Sequence, residues 1–268
     1  MKNHPVIILI LPALILLIPL LASEGAASSV RIVTPYLGAL YNTYTDEEQG
    51  LDLEDTALLK GLYLQWVDTE RFQSNFFLYQ SSNINYSNIW GFHFLFDWYY
   101  DVQENQKNVI GVGTEYIGIR MDAGSNFTPL SDFKLTNNVI APFLRAGRYF
   151  YFGPSTFRSY LLPWFGFEYE AVRGDVSFLP PGPPVARDIR ADYLFGLIGL
   201  KYKTVIYRFL DIELKSSLAF NADDVLTRLA AMVNLYLGRH WGLSYRFLYT
   251  ENTSGTNLYN LGGVAVVF

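Results

Sequence analysis

Between Ile89 and Asp101 every second residue is aromatic. Trp90, Phe92, Phe94, Phe96, Trp98 and Tyr100 alternate with Gly91, His93, Leu95, Asp97 and Tyr99. A period of two places all of those aromatics on one face of a β-strand. The pattern recurs. Trp241, Leu243, Tyr245, Phe247 and Tyr249 alternate with Gly242, Ser244, Arg246 and Leu248. Leu210, Ile212, Leu214 and Leu218 oppose Asp211, Glu213, Lys215 and Ser217, and Leu229, Ala231, Val233, Leu235 and Leu237 oppose Arg228, Met232, Asn234 and Tyr236. One such strand suits a soluble sandwich. Many of them, each apolar on one face and polar on the other over about ten residues, make the pattern of a transmembrane barrel.

Composition points the same way. Charged residues are 17% of the chain and aromatics another 17%, against about 25% charged in a typical soluble domain. Twenty Tyr and twenty Phe exceed what a core of this size takes in, so the surplus needs an apolar environment outside the fold. Beyond residue 27 no uninterrupted apolar stretch is long enough for a membrane-spanning helix. Lipid cannot satisfy backbone polar groups, which leaves a closed barrel as the spanning structure. A net charge of −5 argues against nucleic acid as a partner.

We therefore expect an all-β fold: a transmembrane, antiparallel, up-and-down β-barrel of about twelve strands, within a range of ten to fourteen. The strands fall near 30–44, 57–67, 71–80, 88–100, 108–121, 138–151, 156–172, 189–204, 208–220, 225–237, 240–250 and 257–268. The long connections (45–56, 122–137, 173–188) follow odd strands, and tight ones (68–70, 153–155, 238–239) follow even strands. That parity puts both termini on the periplasmic side. Two links depart from it: 221–224 is short for an extracellular loop, and 101–107 is long for a periplasmic turn. Trp66, Trp98 and Trp241 sit beside the proposed periplasmic turns, where an aromatic girdle belongs. Pro142 and Pro163 fall inside strands and suggest bulges.

Residues 1–27 read as a cleaved export signal, with Lys2 and His4 leading an apolar run from Pro5 to Ala22 and the small residues Gly25, Ala26, Ala27 and Ser28 after it. An uncleaved anchor is the competing reading. Residues 28–268 form the barrel. The chain has no Cys, which excludes disulfides, a thiolate metal site and a lipidated cysteine. At the other end Val264, Val266 and Phe268 face one way and Gly263, Ala265 and Val267 the other. A terminal aromatic on an alternating strand resembles the C-terminal signature of bacterial outer-membrane β-barrel proteins. The resemblance implies a Gram-negative outer-membrane location, contact with outer-membrane lipid and lipopolysaccharide, and recognition of Phe268 by the barrel-assembly machinery. It also makes the absence of Cys expected. It names no subfamily.

The alternation aims a set of charged side chains at the lumen, and these are the candidate pore-lining residues. The acidic ones are Asp97, Glu115, Glu168, Glu170, Asp211 and Glu213. The basic ones are Arg145, Arg158, Lys201, Lys203, Lys215, Arg228 and Arg246, and His93 joins them. Such a mixed-sign lumen suits either a hydrated pore or a plug-like ion network. Catalysis has less support. His93 and Asp97 lie roughly 13 Å apart along one strand, too far for an acid–base pair. Outer-membrane phospholipases carry a nucleophilic serine two residues after a histidine, and Leu95 stands there. No metal site and no cofactor is expected, because the lumen holds a single histidine. The acidic connection (Asp46, Glu47, Glu48, Asp52, Glu54, Asp55) reads as a solvated extracellular segment, with a cation-attracting vestibule or a divalent-ion contact with lipopolysaccharide as the alternative. The run Pro180, Pro181, Pro183, Pro184 reads as a stiff, extended loop that suits folding over the mouth or binding a partner. The expected function is a passive channel for small hydrophilic solutes, not an enzyme. The alternatives are a closed structural or adhesion barrel acting through its loops, and a hydrolase using Glu168 and Glu170.

Overall fold

The computed structural model describes residues 29–46, 51–68, 70–82, 87–123, 131–154, 156–179, 185–207, 209–252 and 255–268. The expected export signal, Glu47, Glu48 and the 180–184 proline run lie outside them. Strands follow one another as β1 (Ser29–Asp46), β2 (Leu51–Asp68), β3 (Phe72–Ser81), β4 (Ser87–Gln103), β5 (Gln106–Ala123) and β6 (Ser131–Phe152). The second half comprises β7 (Phe157–Leu179), β8 (Val185–Ile206), β9 (Leu210–Phe220), β10 (Val225–Tyr236), β11 (Trp241–Asn252) and β12 (Gly255–Val267). Each strand is hydrogen-bonded to its sequence neighbours, and β12 returns to β1, so the sheet is a closed barrel. At the seam the Phe268 amide donates to the Arg31 carbonyl at 2.9 Å and the Arg31 amide to the Phe268 carbonyl at 3.3 Å. Closure leaves no edge strand unpaired, which is the condition for a sheet to stand in lipid.

Every expected strand is present, and most are longer than the hydropathy pattern suggests. β6, β7 and β8 run 22, 23 and 22 residues, whereas about 9–11 cross a bilayer. β9 has 11. The stretches 45–56, 122–137 and 173–188, expected as loops, are largely ladder: Tyr44 pairs with Leu53, Arg120 with Thr136 and Asp175 with Asp188. Backbone pairing is indifferent to side-chain polarity. Where the outer face turns to Lys134, Arg173, Asp188 and Arg190 the alternation fades, yet the hydrogen bonds continue.

Two smaller expectations change. The 101–107 link is a two-residue turn at Glu104–Asn105, because a register shift between Tyr100 and Gln103 takes up the extra residues. No bulge forms at Pro142 or Pro163. The β6–β7 pairing keeps one register on either side of both, from Ile140↔Ala171 to Phe143↔Glu168 and from Gly147↔Trp164 to Phe150↔Leu161. A proline lacks a donor, so it omits a rung without slipping the strand.

Side chains divide by face as the alternation requires. Phe165, Phe167, Leu194, Leu243 and Tyr245 are exposed on the outer wall, where they form its apolar belt. At the end where Ser29 and the C-terminal Phe268 lie, below called the terminus end, the belt finishes in Trp98, Tyr207, Trp241 and Phe268, all exposed. Arg31 lies 5.3 Å over the Trp66 ring at that same edge.

Candidate functional site

The barrel interior is built by register. His93 on β4 sits between Phe77 on β3 and Glu115 on β5, and Asp97 lies opposite Gly111, which in turn faces Arg145. The next rungs continue around the wall. Gly166 faces Arg145, Glu168 faces Phe195 and Leu162 faces Lys201, while Lys201 and Lys203 meet Lys215 and Glu213. Arg228 and Arg246 on β10 and β11 complete the circuit. The candidate lumen charges on these rungs share one face of the wall with buried Asp97, Arg145 and Lys201.

They do not face water as a row of independent charges. Arg145 grips Asp97 through both ends of its guanidinium, Nε to Oδ1 at 3.1 Å and Nη2 to Oδ2 at 2.6 Å. Asp97 has no solvent exposure, and Arg145 is 5% exposed. Gly111 makes this possible, because any Cβ there would strike the Asp97 carboxylate and the Arg145 stem. Lys201 and Lys215 both reach Glu213, at 3.0 and 2.8 Å, and Lys203 reaches Asp211 at 2.6 Å. Across two intervening strands, Arg228 donates to both oxygens of Glu168 at 2.8 and 2.6 Å. Glu168, one of the two carboxylates of the hydrolase alternative, is thus bound at both oxygens by Arg228. His93 stacks on Phe143 with ring centres 5.8 Å apart. Among the described residues no group of three His, Cys, Asp or Glu could hold a metal ion.

Between the ion pairs the interior is filled by aromatics that the sequence reading passed over. Tyr36, Tyr63, Phe77, Tyr79 and Tyr259 are buried in one cluster with Leu59, Met232 and Leu261, drawn from both sides of the β1–β12 seam. Arg246 on β11 crosses to this cluster, its guanidinium carbon 4.8 Å from the Tyr63 ring and 4.4 Å from that of Phe77 on β3. Tyr36 hydrogen-bonds Ser244 at 2.5 Å, and Ser244 donates to Asn234 at 2.6 Å. Near the terminus end Lys107 places its ammonium 3.4 Å over the Tyr99 ring, with Tyr149 and Tyr151 beside it. A void of about 10 Å³ lies between Tyr63, Glu213, Lys215, Met232 and Arg246, room for about one water.

The missed residues left a signal. Phe76, Phe77, Leu78 and Tyr79 in β3, and Tyr149, Phe150, Tyr151 and Phe152 in β6, are large and apolar on both faces. A strand with a hydrated lumen behind it has no use for the second face. Eight-stranded barrels fill with side chains, and barrels of 16 or more strands leave a channel. Here twelve strands enclose an intermediate space, into which inward side chains such as Arg246 reach far enough to touch a ring four strands away.

The translocator domain of the autotransporter NalP from Neisseria meningitidis superposes with a TM-score of 0.52 and 15% identity, covering 95% of this chain and 93% of that one. The fold is that of an outer-membrane β-barrel. The transport unit of the autotransporter AIDA-I from Escherichia coli matches with a TM-score of 0.47, 8% identity and 91% of each chain. The KdgM porin in complex with disordered oligogalacturonate matches with a TM-score of 0.42, 10% identity, 89% of this chain and 99% of that one. No family model and no curated protein matches the sequence.

Proposed function

We propose that this chain is an outer-membrane barrel with a closed lumen, which acts through the strands it raises above the membrane. The carrying observation is the interior: Asp97, Glu168, Lys201 and Tyr149 are all within 2% of complete burial, inside a barrel whose inward pairs and rings link strands up to four apart around the wall. A passive pore leaves its lining accessible to water. The tall side of the barrel supports the second half of the reading. β6, β7 and β8 exceed a membrane crossing about twofold, and their far ends carry Arg173 paired with Asp192 and Arg190 near Asp188. Such a rigid charged ribbon suits contact with lipopolysaccharide or with another surface. Export by residues 1–27 and insertion through recognition of Phe268 by the assembly machinery belong to the same proposal.

Planar-bilayer recording of the refolded protein tests it. The expected trace shows no steady conductance, and removal of residues 131–137 with 173–189 leaves heat-modifiable gel mobility intact. A steady ohmic conductance in the unmodified protein refutes the closed lumen. One observation favours a channel as the second reading: Lys215 and Arg228, on the neighbouring strands β9 and β10, keep 31% and 22% of their side chains accessible.

A further inference from the structure

The outer wall carries a polar device where an apolar belt is expected. β4 departs from regular pairing between Tyr100 and Gln103, and Asp101 takes a left-handed φ of 50° there. Non-glycine residues hold that conformation at a cost, and bulges of this kind re-aim side chains. The Asp101 carboxylate receives Gln103 Nε2 at 3.3 Å on Oδ1 and Asn108 Nδ2 at 3.3 Å on Oδ2. The same Asn108 amide accepts Arg148 Nε on its Oδ1 at 2.7 Å. Arg148 lies on the outer face of β6, between buried Arg145 and Tyr149 on either side of it in the alternation, and is exposed. No described protein group bonds to its two Nη atoms.

Two features set this apart from an ordinary surface ion pair. An arginine on the lipid face of a barrel is unfavourable unless it meets the headgroup layer, and this one is framed by exposed Trp98, Tyr100, Ile110 and Phe150. That is the depth of the aromatic girdle at the terminus end, beside Ser29 and Phe268, where lipid phosphates lie. The second feature is that the opposite charges do not neutralise each other. The Asn108 amide is wedged between them, its carbonyl turned to the cation and its amino group to the anion. The result is a fixed positive and a fixed negative point, side by side and both open outward.

We infer that Asp101, Asn108 and Arg148 form a binding site for a zwitterionic phosphoethanolamine lipid headgroup in the leaflet at the terminus end of the barrel. The phosphate takes the free Nη donors of Arg148, a bidentate geometry arginine favours, and the primary ammonium donates to the Asp101 carboxylate. A phosphoglycerol headgroup offers the phosphate but no cation. A phosphocholine offers a cation without N–H donors. The inference rests on the barrel standing in a membrane and is independent of what its raised strands do.

Native mass spectrometry of the detergent-purified protein, titrated with phosphatidylethanolamine, phosphatidylglycerol and phosphatidylcholine of matched acyl chains, tests it. The expected result is preference for the ethanolamine lipid by about tenfold, the effect of one charge-assisted hydrogen bond. Arg148→Gln should abolish the preference, and Asp101→Asn should bring the ethanolamine lipid level with the choline lipid. Each comparison is a ratio within one sample, so loss of folded protein does not imitate the effect. Equal or tighter binding of the glycerol lipid, or a preference that survives Arg148→Gln, overturns the inference. Heat-modifiable mobility of the same preparation separates that outcome from failure of the barrel reading itself.

Discussion

The buried pair of Asp97 and Arg145 allows the state of the lumen to be read as an energy. Suppose Asp97→Asn, Arg145→Met and the double variant are compared. In bulk water two unit charges 4 Å apart attract by about 1 kcal/mol, and exposed pairs measure about 0.2–1 kcal/mol. Removing one member of a dry pair instead strands the other charge and costs about 3–5 kcal/mol. Asp97 has no exposure and Arg145 almost none, and both hydrogen bonds of the fork are formed. Each single change should therefore destabilise by about 3 kcal/mol or more, and the double change by no more than one of them, since a neutral pair leaves no orphaned charge. The coupling energy should then be about 3–5 kcal/mol. Urea unfolding of protein refolded in detergent or vesicles, followed by tryptophan fluorescence, supplies the cycle. A coupling below about 1 kcal/mol means that water bathes the pair, and the closed-lumen reasoning fails.

Three further outcomes are expected. Gly111→Ala should cost about 1–3 kcal/mol by overpacking, because its new methyl group meets the Asp97–Arg145 pair, whereas Gly262→Ala, whose methyl group meets only the Leu37 carbonyl at 3.9 Å, should leave the urea midpoint unchanged. Joint replacement of Tyr63 and Arg246 by Ala should open a leak measurable as bilayer conductance, since these two side chains border the one-water void and meet across the seam; an unchanged, silent trace shows that the block lies elsewhere. Deletion of Phe268 removes its two backbone bonds to Arg31 and should lower the yield of inserted barrel in cells; wild-type insertion makes the terminal residue incidental.

The sequence by itself determined the topology and the facing of nearly every side chain. Alternation is a local property, a strand in lipid has only two faces, and lipid tolerates no open edge, so Trp90 to Tyr100 and Leu210 to Phe220 could be assigned to wall and interior one strand at a time. The loops were harder to see, because a ladder such as Arg173↔Arg190 continues after the outer face turns polar and leaves no hydropathy trace. What only the tertiary structure decided is what the inward charges do. Whether Arg228 looks into water or grips Glu168 depends on residues 60 positions apart. Whether twelve strands leave a pore depends on side chains such as Arg246 and Phe77, which come from opposite ends of the chain and share no local pattern. The same holds on the outer wall, where Asp101, Asn108 and Arg148 come together beside a one-residue shift in β4. Facing is set by period and is legible in a strand; partnership is set by closure and is not.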